Sequence, residues 1–163
     1  MHATIRLCVA HLWKGEADMD HKTCTFFGHR DCPKSIQPEL RAMLIKLIEQ
    51  QNVRMFYVGN QGAFDAMVHT VLQELSIQYP QINYAVVLAY LPQQHGEGGS
   101  DSIWPEGLEK ISKRFAISWR NHWMLNQADF VVTYITHSWG GAAQFAEAAK
   151  KKGKMVYNLS EKK

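Results

Sequence analysis

The chain has 163 residues, of which 46% are hydrophobic and 20% charged, and its formal net charge is +3. This length and composition fit one globular domain built around a single hydrophobic core. They exclude a membrane-spanning chain, because the longest apolar runs, such as "YAVVLAY", are far shorter than the ~20 residues that a bilayer requires.

Charge and cysteine content narrow the class of protein further. The positive excess is concentrated in "KKKGK" and "EKK" near the C-terminus, and no element interleaves basic and aromatic side chains as a nucleic-acid surface would. Three cysteines without paired spacing indicate a reducing, cytoplasmic setting rather than a disulfide framework. Cys24 lies in an apolar run and is predicted to be buried, whereas Cys32 lies in a loop and could be exposed. The eight histidines lack metal-ligand spacing, so we predict no metal site.

The first segment, residues 1–21, is predicted to be an N-terminal extension outside the core, and residues 22–163 to form a single domain. Residues 1–18 lack the apolar segment and the small-residue cleavage site of a secretory signal. They fit either an upstream extension or a misassigned start.

From residue 22 onwards, strand-like and helix-like patterns alternate along the chain. The strands are predicted at residues 22–27, 53–58, 82–91, 129–135 and 154–159, and the helices at 35–51, 64–80, 117–128 and 142–153. Residues 92–107 are polar and glycine-rich, which is typical of a functional lid or a mobile loop. The alternation predicts a three-layer, Rossmann-like α/β domain. Its doubly wound parallel sheet would have about five strands in the order 3-2-1-4-5.

The predicted topology also locates the binding site. Ligands of such sheets bind beyond the carboxyl ends of the strands, where the strand order reverses. That point falls between predicted strands one and four, so we expect the site in the loops at residues 28–33, 59–65 and 136–141.

Gly59-Asn60-Gln61-Gly62 separates the second strand from the second helix. Glycines permit close backbone approach, and the first amides of a helix attract phosphate. The same residues would also suit a plain strand-to-helix turn. Asp65 could hydrogen-bond a sugar hydroxyl, although capping of the helix is the favoured interpretation.

The loops after the first and fourth strands carry the other candidate ligand-binding residues, which are Gly28, His29 and Arg30, and Ser138, Gly140 and Gly141. A histidine and an arginine at the mouth of a sheet can bind phosphate or carboxylate, unless they are simply solvated. The small residues of the second loop would offer helix amides to an anion.

Several stretches together resemble the YpsA-like family of bacterial proteins. They are "TCTFFGHRDCP", "FYVGNQGAFD", "YAVVLAYLP", "FAISWRN.WML..ADFVVTYI" and "SWGGAAQFAE". That family belongs to the SLOG superfamily of Rossmann-like domains, named for DprA/Smf and the LOG enzymes, and the resemblance covers about residues 22–160. It implies a nucleotide or nucleotide-derived small molecule as ligand, with phosphates on the loops at 59–62 and 140–141.

The resemblance also bears on cofactors and partners. It implies no required cofactor, although Mg²⁺ could accompany a ligand phosphate. SLOG relatives often dimerise, which implies a homodimer, with Trp119, Trp123 and Trp139 as candidate interface residues.

The LOG enzymes cleave the N-glycosidic bond of nucleoside 5′-monophosphates, and their motif is partly kept here. Arg120 and Glu147 match its arginine and glutamate, which implies that Arg120 orients the ligand. Glu147 would then stabilise an oxocarbenium ion or activate water. Asn121 replaces the motif's lysine, Ala143 its third glycine and Gln144 its threonine, and each change removes a means of holding phosphate.

Three hypotheses follow from the sequence. The first is a cytosolic domain that binds or senses a nucleotide-derived ligand, with Asn121 near the ligand and residues 92–107 closing over it. The second is a nucleoside 5′-monophosphate N-glycosidase with Arg120 and Glu147 as catalytic residues. The third is a structural or partner-binding module.

Overall fold

In the computed structural model, the described residues are 21–91 and 101–161. They contain six strands: β1 (Lys22–Gly28), β2 (Val53–Val58), β3 (Asn83–Val87), β4 (Ser102–Ile103), β5 (Phe130–Tyr134) and β6 (Met155–Asn158). They contain four α-helices: α1 (Gln37–Gln51), α2 (Ala63–Gln78), α3 (Lys113–Gln127) and α4 (Gly141–Lys151). Short 3-10 turns at Lys34–Ile36 and Leu108–Lys110 precede α1 and α3.

The six strands form one parallel sheet in the order β4-β3-β2-β1-β5-β6. Helices cover both faces, which confirms the predicted doubly wound α/β architecture. One core cluster unites α1 and α2 with the sheet through residues such as Leu44 and Val71. A second cluster unites α3 and α4 with the opposite face through Met124 and Phe145.

Helical spacing in the sequence explains how these layers form. In α1, Leu40, Leu44 and Leu47 lie three or four positions apart and are buried on one face. Asn52 ends this helix in the left-handed conformation, with φ of 57°. Strand β5 is buried over its first four residues, and its sequence FVVTY is correspondingly apolar except for Thr133.

The sheet has a strand more than the sequence predicted. β4 pairs in parallel with β3 at the edge, through Val86 with Ser102 and Val87 with Ile103. Two residues are too few to show a strand periodicity, so this segment was expected to belong to the loop at 92–107. The five predicted strands correspond to β1, β2, β3, β5 and β6, and their order is the predicted one.

Both cysteines in the described residues are buried, so the prediction for Cys24 is confirmed and the exposure considered for Cys32 is not observed. Cys32 packs with Ile36 in the main core cluster, because the turn before α1 folds its loop onto the sheet. Burial raises the pKa of the Cys32 thiol to about 11 and raises that of Cys24 further, so both are neutral thiols at pH 7.

Two sequence predictions lie outside the described residues in whole or in part. The N-terminal extension falls almost entirely before residue 21, and residues 92–100 of the expected lid are likewise outside. The predicted single domain at 22–163 therefore stays a prediction. In the described ranges, no helix is long and apolar enough to cross a membrane.

Candidate functional site

The strand order reverses between β1 and β5, and a cavity of about 410 Å³ opens there at the carboxyl ends of the strands. We call it the switch-point cavity. Its walls come from the loops after β1, β2 and β5 and from one face of α3. The polar and glycine residues among them are Gly28, His29, Arg30, Asp31, Gln61, Asp65, Arg120, Asn121, His137, Trp139, Gly140 and Gly141. The sequence thus predicted its location and most of its polar lining.

Arg120 is a buried cation in the wall of this cavity. It projects from α3 and is 1% exposed. Its Nη1 donates to the backbone oxygen of Val87 at 2.8 Å and to Asn60 Oδ1 at 3.3 Å, and its Nε donates to Asn121 Oδ1 at 2.9 Å. Burial lowers the pKa of Arg120, and the charge of Asp65 opposes that shift. A guanidinium remains charged even so, and Arg120 therefore presents a desolvated positive charge to the cavity.

Asp65 is a buried carboxylate in the first turn of α2. Its Oδ2 accepts a hydrogen bond from the backbone N–H of Gln61 at 2.9 Å. That amide precedes the helix, and no side chain caps α2 at Gly62, so Asp65 does not cap the helix as predicted. Burial raises its pKa to about 6, against the opposing effects of the Gln61 hydrogen bond, Arg120 and Arg30. Gly59 makes this arrangement possible, because a Cβ there would lie 2.7 Å from Asp65 Oδ2 and 3.1 Å from Arg120 Nη1.

His29 follows β1 and is 8% exposed, and its Nε2 has no hydrogen-bond partner among the described residues. Its ring stacks on His137, with the centroids 3.7 Å apart and the planes inclined by 16°. Burial lowers the pKa of His29, His137 lowers it further, and Asp31 opposes both. The imidazole is therefore neutral at pH 7. A buried nitrogen without a partner is costly, so His29 Nε2 is a candidate for contact with a further polar group.

The glycine loop after β2 is less open to a phosphate than its sequence implied. Gln61 lines the switch-point cavity, but Gly59, Asn60 and Gly62 line a neighbouring cavity of about 370 Å³ on the side of β3 and β4. The N–H of Gln61 is bonded to Asp65, and the N–H of Ala63 donates to the Arg30 oxygen at 2.9 Å. The Asp65 carboxylate thus uses a donor that an anion would need. Phosphate binding at 59–62 stays a prediction, with fewer free amides to support it.

The loop after β5 leaves open space before α4. A Cβ at Gly140 or Gly141 would meet nothing within 4 Å, and both residues line the switch-point cavity. Gly140 has φ of 94°, a conformation that favours glycine. The first amides of α4 therefore border the cavity with the positive end of the helix dipole. Ser138 is exposed and lies outside the lining.

Glu147 lies apart from Arg120 in this arrangement. Its side chain is 64% exposed, forms an ion pair with Lys150 at 3.5 Å and does not line the cavity. The buried face of α4 is instead formed by Ala143, Phe145, Ala146 and Ala149. The catalytic role that the resemblance implies for Glu147 stays a prediction.

The three tryptophans expected at a dimer interface have different surroundings. Trp123 packs edge-on against Tyr57, and Trp119 packs against the small cluster formed by Ala89, Leu108 and Ala116. Trp139 is 70% exposed. A homodimer stays a prediction.

Sequence reasoning missed several residues of the site. Asp31 and His137 line the cavity, and Trp139 was considered only as an interface residue. Asn158, at the end of β6, binds both backbone groups of Ile135 and so anchors the loop after β5. A histidine beside Ser-Trp-Gly-Gly was a usable signal for His137, whereas nothing in the sequence distinguishes Asn158.

Metal and cofactor predictions remain open. Within residues 21–91 and 101–161, no three His, Cys, Asp or Glu side chains group closely enough to hold a metal ion. Mg²⁺ accompanying a ligand phosphate stays a prediction.

A search of solved structures found a similar fold in DNA processing protein A (DprA) from Streptococcus pneumoniae, with a TM-score of 0.60 and 15% sequence identity. The match covers 83% of this chain and 49% of DprA, so the chain spans about half the length of that protein. At this identity the likeness shows the fold alone, which is the Rossmann-like fold expected from the SLOG resemblance. It does not distinguish the YpsA-like branch. No family model matches the chain, and no curated protein matches it either.

Proposed function

We propose that this protein binds a nucleotide or nucleotide-derived ligand in the cytosol, with an anionic group of the ligand in the switch-point cavity. One observation carries the proposal. Among the residues that the structure describes, the buried Nε2 of His29 has no partner, and His29 lines a cavity whose wall also contains the buried charge of Arg120.

The cavity offers complementary groups for a phosphate. In the Nε2–H tautomer, His29 donates a hydrogen bond to a phosphate oxygen, and Arg120 supplies a positive charge where water is excluded. Gly140 and Gly141 place the start of α4 on the same cavity, where helix amides favour an anion. Arg30 adds a second guanidinium to the lining.

The acidic residues support a phosphorylated sugar rather than a bare anion. Asp31 and Asp65 also line the cavity, and carboxylates accept hydrogen bonds from hydroxyl groups. A ligand that carries hydroxyls next to its phosphate, as ribose 5-phosphate does, contacts the basic side chains through its phosphate and the acidic side chains through its hydroxyls.

Binding is favoured over cleavage as the function of the site. The N-glycosidase alternative assigns its carboxylate to Glu147, which lies on the exposed face of α4 and outside the cavity. Of the two residues implied to be catalytic, Arg120 alone lines the cavity.

The proposal is tested by thermal unfolding with a panel of nucleoside monophosphates and dinucleotides. A ligand present at 100 times its Kd should add about 2.7 kcal/mol to the free energy of unfolding. We expect His29→Phe, which keeps a flat ring in the stack, to abolish this stabilisation. His69→Phe is the matched control, because His69 lines the neighbouring cavity.

Two results would contradict the proposal: no compound of the panel stabilises the wild-type protein, or His29→Phe is stabilised as much as wild type. Free base should be followed by chromatography in the same samples. Its release by wild type and not by Glu147→Ala would establish the N-glycosidase instead.

A further inference from the structure

Three aromatic rings form a continuous stack at the mouth of the switch-point cavity. His29 stacks on His137 as described, and His137 stacks on Trp139 with centroids 3.7 Å apart and planes inclined by 15°. The stack exists because β1 and β5 are neighbours in the sheet, which brings the loops that follow them together. It runs from the buried ring of His29 to the exposed ring of Trp139.

The position of Trp139 is fixed from one side. His137 Nδ1 lies 2.9 Å from the backbone oxygen of Trp139, an acceptor, so Nδ1 carries the proton and donates to it. This bond and the stacking contact hold the indole parallel to the two imidazoles. With 70% of Trp139 exposed, a large apolar ring surface remains in contact with solvent beside the cavity.

Packing does not explain such an exposed ring. Tryptophan is highly buried in most proteins, and the core clusters of the described residues do not include Trp139. An oriented aromatic face next to a phosphate-binding loop is instead the arrangement by which proteins hold the base of a nucleotide.

We propose that Trp139 is the base-binding platform of the site. The base of the ligand continues the ring stack on the solvent-facing side of Trp139, while the phosphate lies in the cavity near His29 and the start of α4. Stacking uses the face of a base and not its edge, so the site accepts purine and pyrimidine nucleotides alike. This inference rests on the proposed function.

The test compares ligands with and without a base by isothermal titration calorimetry. AMP, CMP and ribose 5-phosphate are titrated into the full chain and into Trp139→Ala, Trp139→Phe and Phe115→Ala. Phe115 is the matched control, because its exposed ring contacts Arg114 on α3 and does not line the cavity.

We expect Trp139→Ala to weaken AMP and CMP binding by roughly tenfold to a hundredfold, the range for one stacked base. Ribose 5-phosphate should bind the variant within about twofold of wild type, since it has no base to stack. Trp139→Phe should recover most of the loss, and Phe115→Ala should behave as wild type.

The possible failures are distinguishable. If wild type binds neither nucleotides nor ribose 5-phosphate, the proposed function fails and this inference with it. If wild type binds all three ligands with equal affinity, or if Trp139→Ala weakens all three equally, the inference alone is overturned. Equal weakening would show that Trp139 only holds the loop in place.

Discussion

Asp65 illustrates how a site residue can oppose stability. It is buried between the two cavities, and both include it in their lining. Its carboxylate loses its hydration on folding. It accepts one backbone hydrogen bond and is attracted by the positive charges of Arg120 and Arg30. Burial prevails, so the charged form is disfavoured in the folded state. A strongly perturbed carboxylate in a cavity is typical of functional sites.

The pKa of Asp65 predicts a pH-dependent stability. The folded value of about 6 lies above the ordinary 3.8, so the folded state binds the proton more tightly between these two pH values. Its stability should therefore fall as pH rises from 3.8 through 6. Asp65→Asn should remove that fall and make the protein more stable at pH 7.5, by up to about 3 kcal/mol.

Urea unfolding of wild type and Asp65→Asn at pH 4 and pH 7.5 provides the measurement. The stabilisation by the variant should be larger at pH 7.5 than at pH 4. An equal difference at both pH values would show that Asp65 is not a buried, titrating carboxylate.

Gly28 shows a different constraint, which is the close approach of the β1 terminus to α2. A Cβ at this position would lie 2.2 Å from Cδ1 of Phe64, a fully buried ring. We expect Gly28→Ala to lower the free energy of unfolding by about 1–3 kcal/mol, the usual cost of overpacking a core. Gly141→Ala is the control, because a Cβ there meets open space and should change stability by less than about 0.5 kcal/mol. Equal costs in urea unfolding would argue against the Gly28 contact.

At the scale of elements, the site depends on how the loops after the strands are anchored. The loop after β2 is fixed to the loop after β1, since the N–H of Ala63 donates to the Arg30 oxygen. The loop after β5 is fixed by β6, where Asn158 Oδ1 accepts from Ile135 N and Nδ2 donates to Ile135 O, each at 3.0 Å. Asn158 thereby positions the loop that carries His137 and Trp139 without lining the cavity.

Asn158→Ala should release this loop. We expect a loss of about 1–3 kcal/mol of stability, because the Ile135 N–H loses its bond to Asn158 and the Ile135 oxygen keeps only its bond from Ser160 Oγ. The amide of Ile135 should exchange with solvent faster by NMR-detected hydrogen exchange. Asn158→Asp, which can still accept from Ile135 N, should keep that amide protected. Unchanged exchange in Asn158→Ala would show that other contacts hold the loop.

At the scale of the whole molecule, the sequence predicts that the domain begins at residue 22. The first strand begins at Lys22, and the earliest residue in the core clusters is Cys24. The sheet is covered on both faces by the four helices that follow. The nucleotide-binding proposal likewise uses residues from Gly28 onwards.

Deletion of residues 1–18 therefore provides a test of the domain boundary. The shortened chain should unfold with the same free energy as the full chain, within about 0.5 kcal/mol, because residues 1–21 are predicted to form an extension outside the core. Its affinity for ligand should also be unchanged. A loss of more than about 1 kcal/mol in urea unfolding would place the segment in the fold.

The sequence by itself determined the class of α/β architecture and the predicted location of the candidate site. The hydrophobic periods of strands (two residues) and helices (3.6 residues) are local properties, so each segment can be assigned as a strand or a helix from its own sequence. Strands that alternate with helices then predict a parallel sheet covered by helices. The reversal of strand order then placed His29, Gln61 and Gly140 at one edge before any contact was known. The resemblance implied a role for Arg120 in the site, and the structure places its buried side chain in the cavity wall.

Only the tertiary structure decided which groups are free to bind. It showed that Asp65 uses an amide of the glycine loop, that Glu147 faces solvent and that Cys32 is buried. It also added β4, which is too short to show a period. The stack of His29, His137 and Trp139 joins segments that lie far apart in the chain. Such contacts depend on how the strands are ordered and how the loops pack, and local sequence patterns do not contain that information.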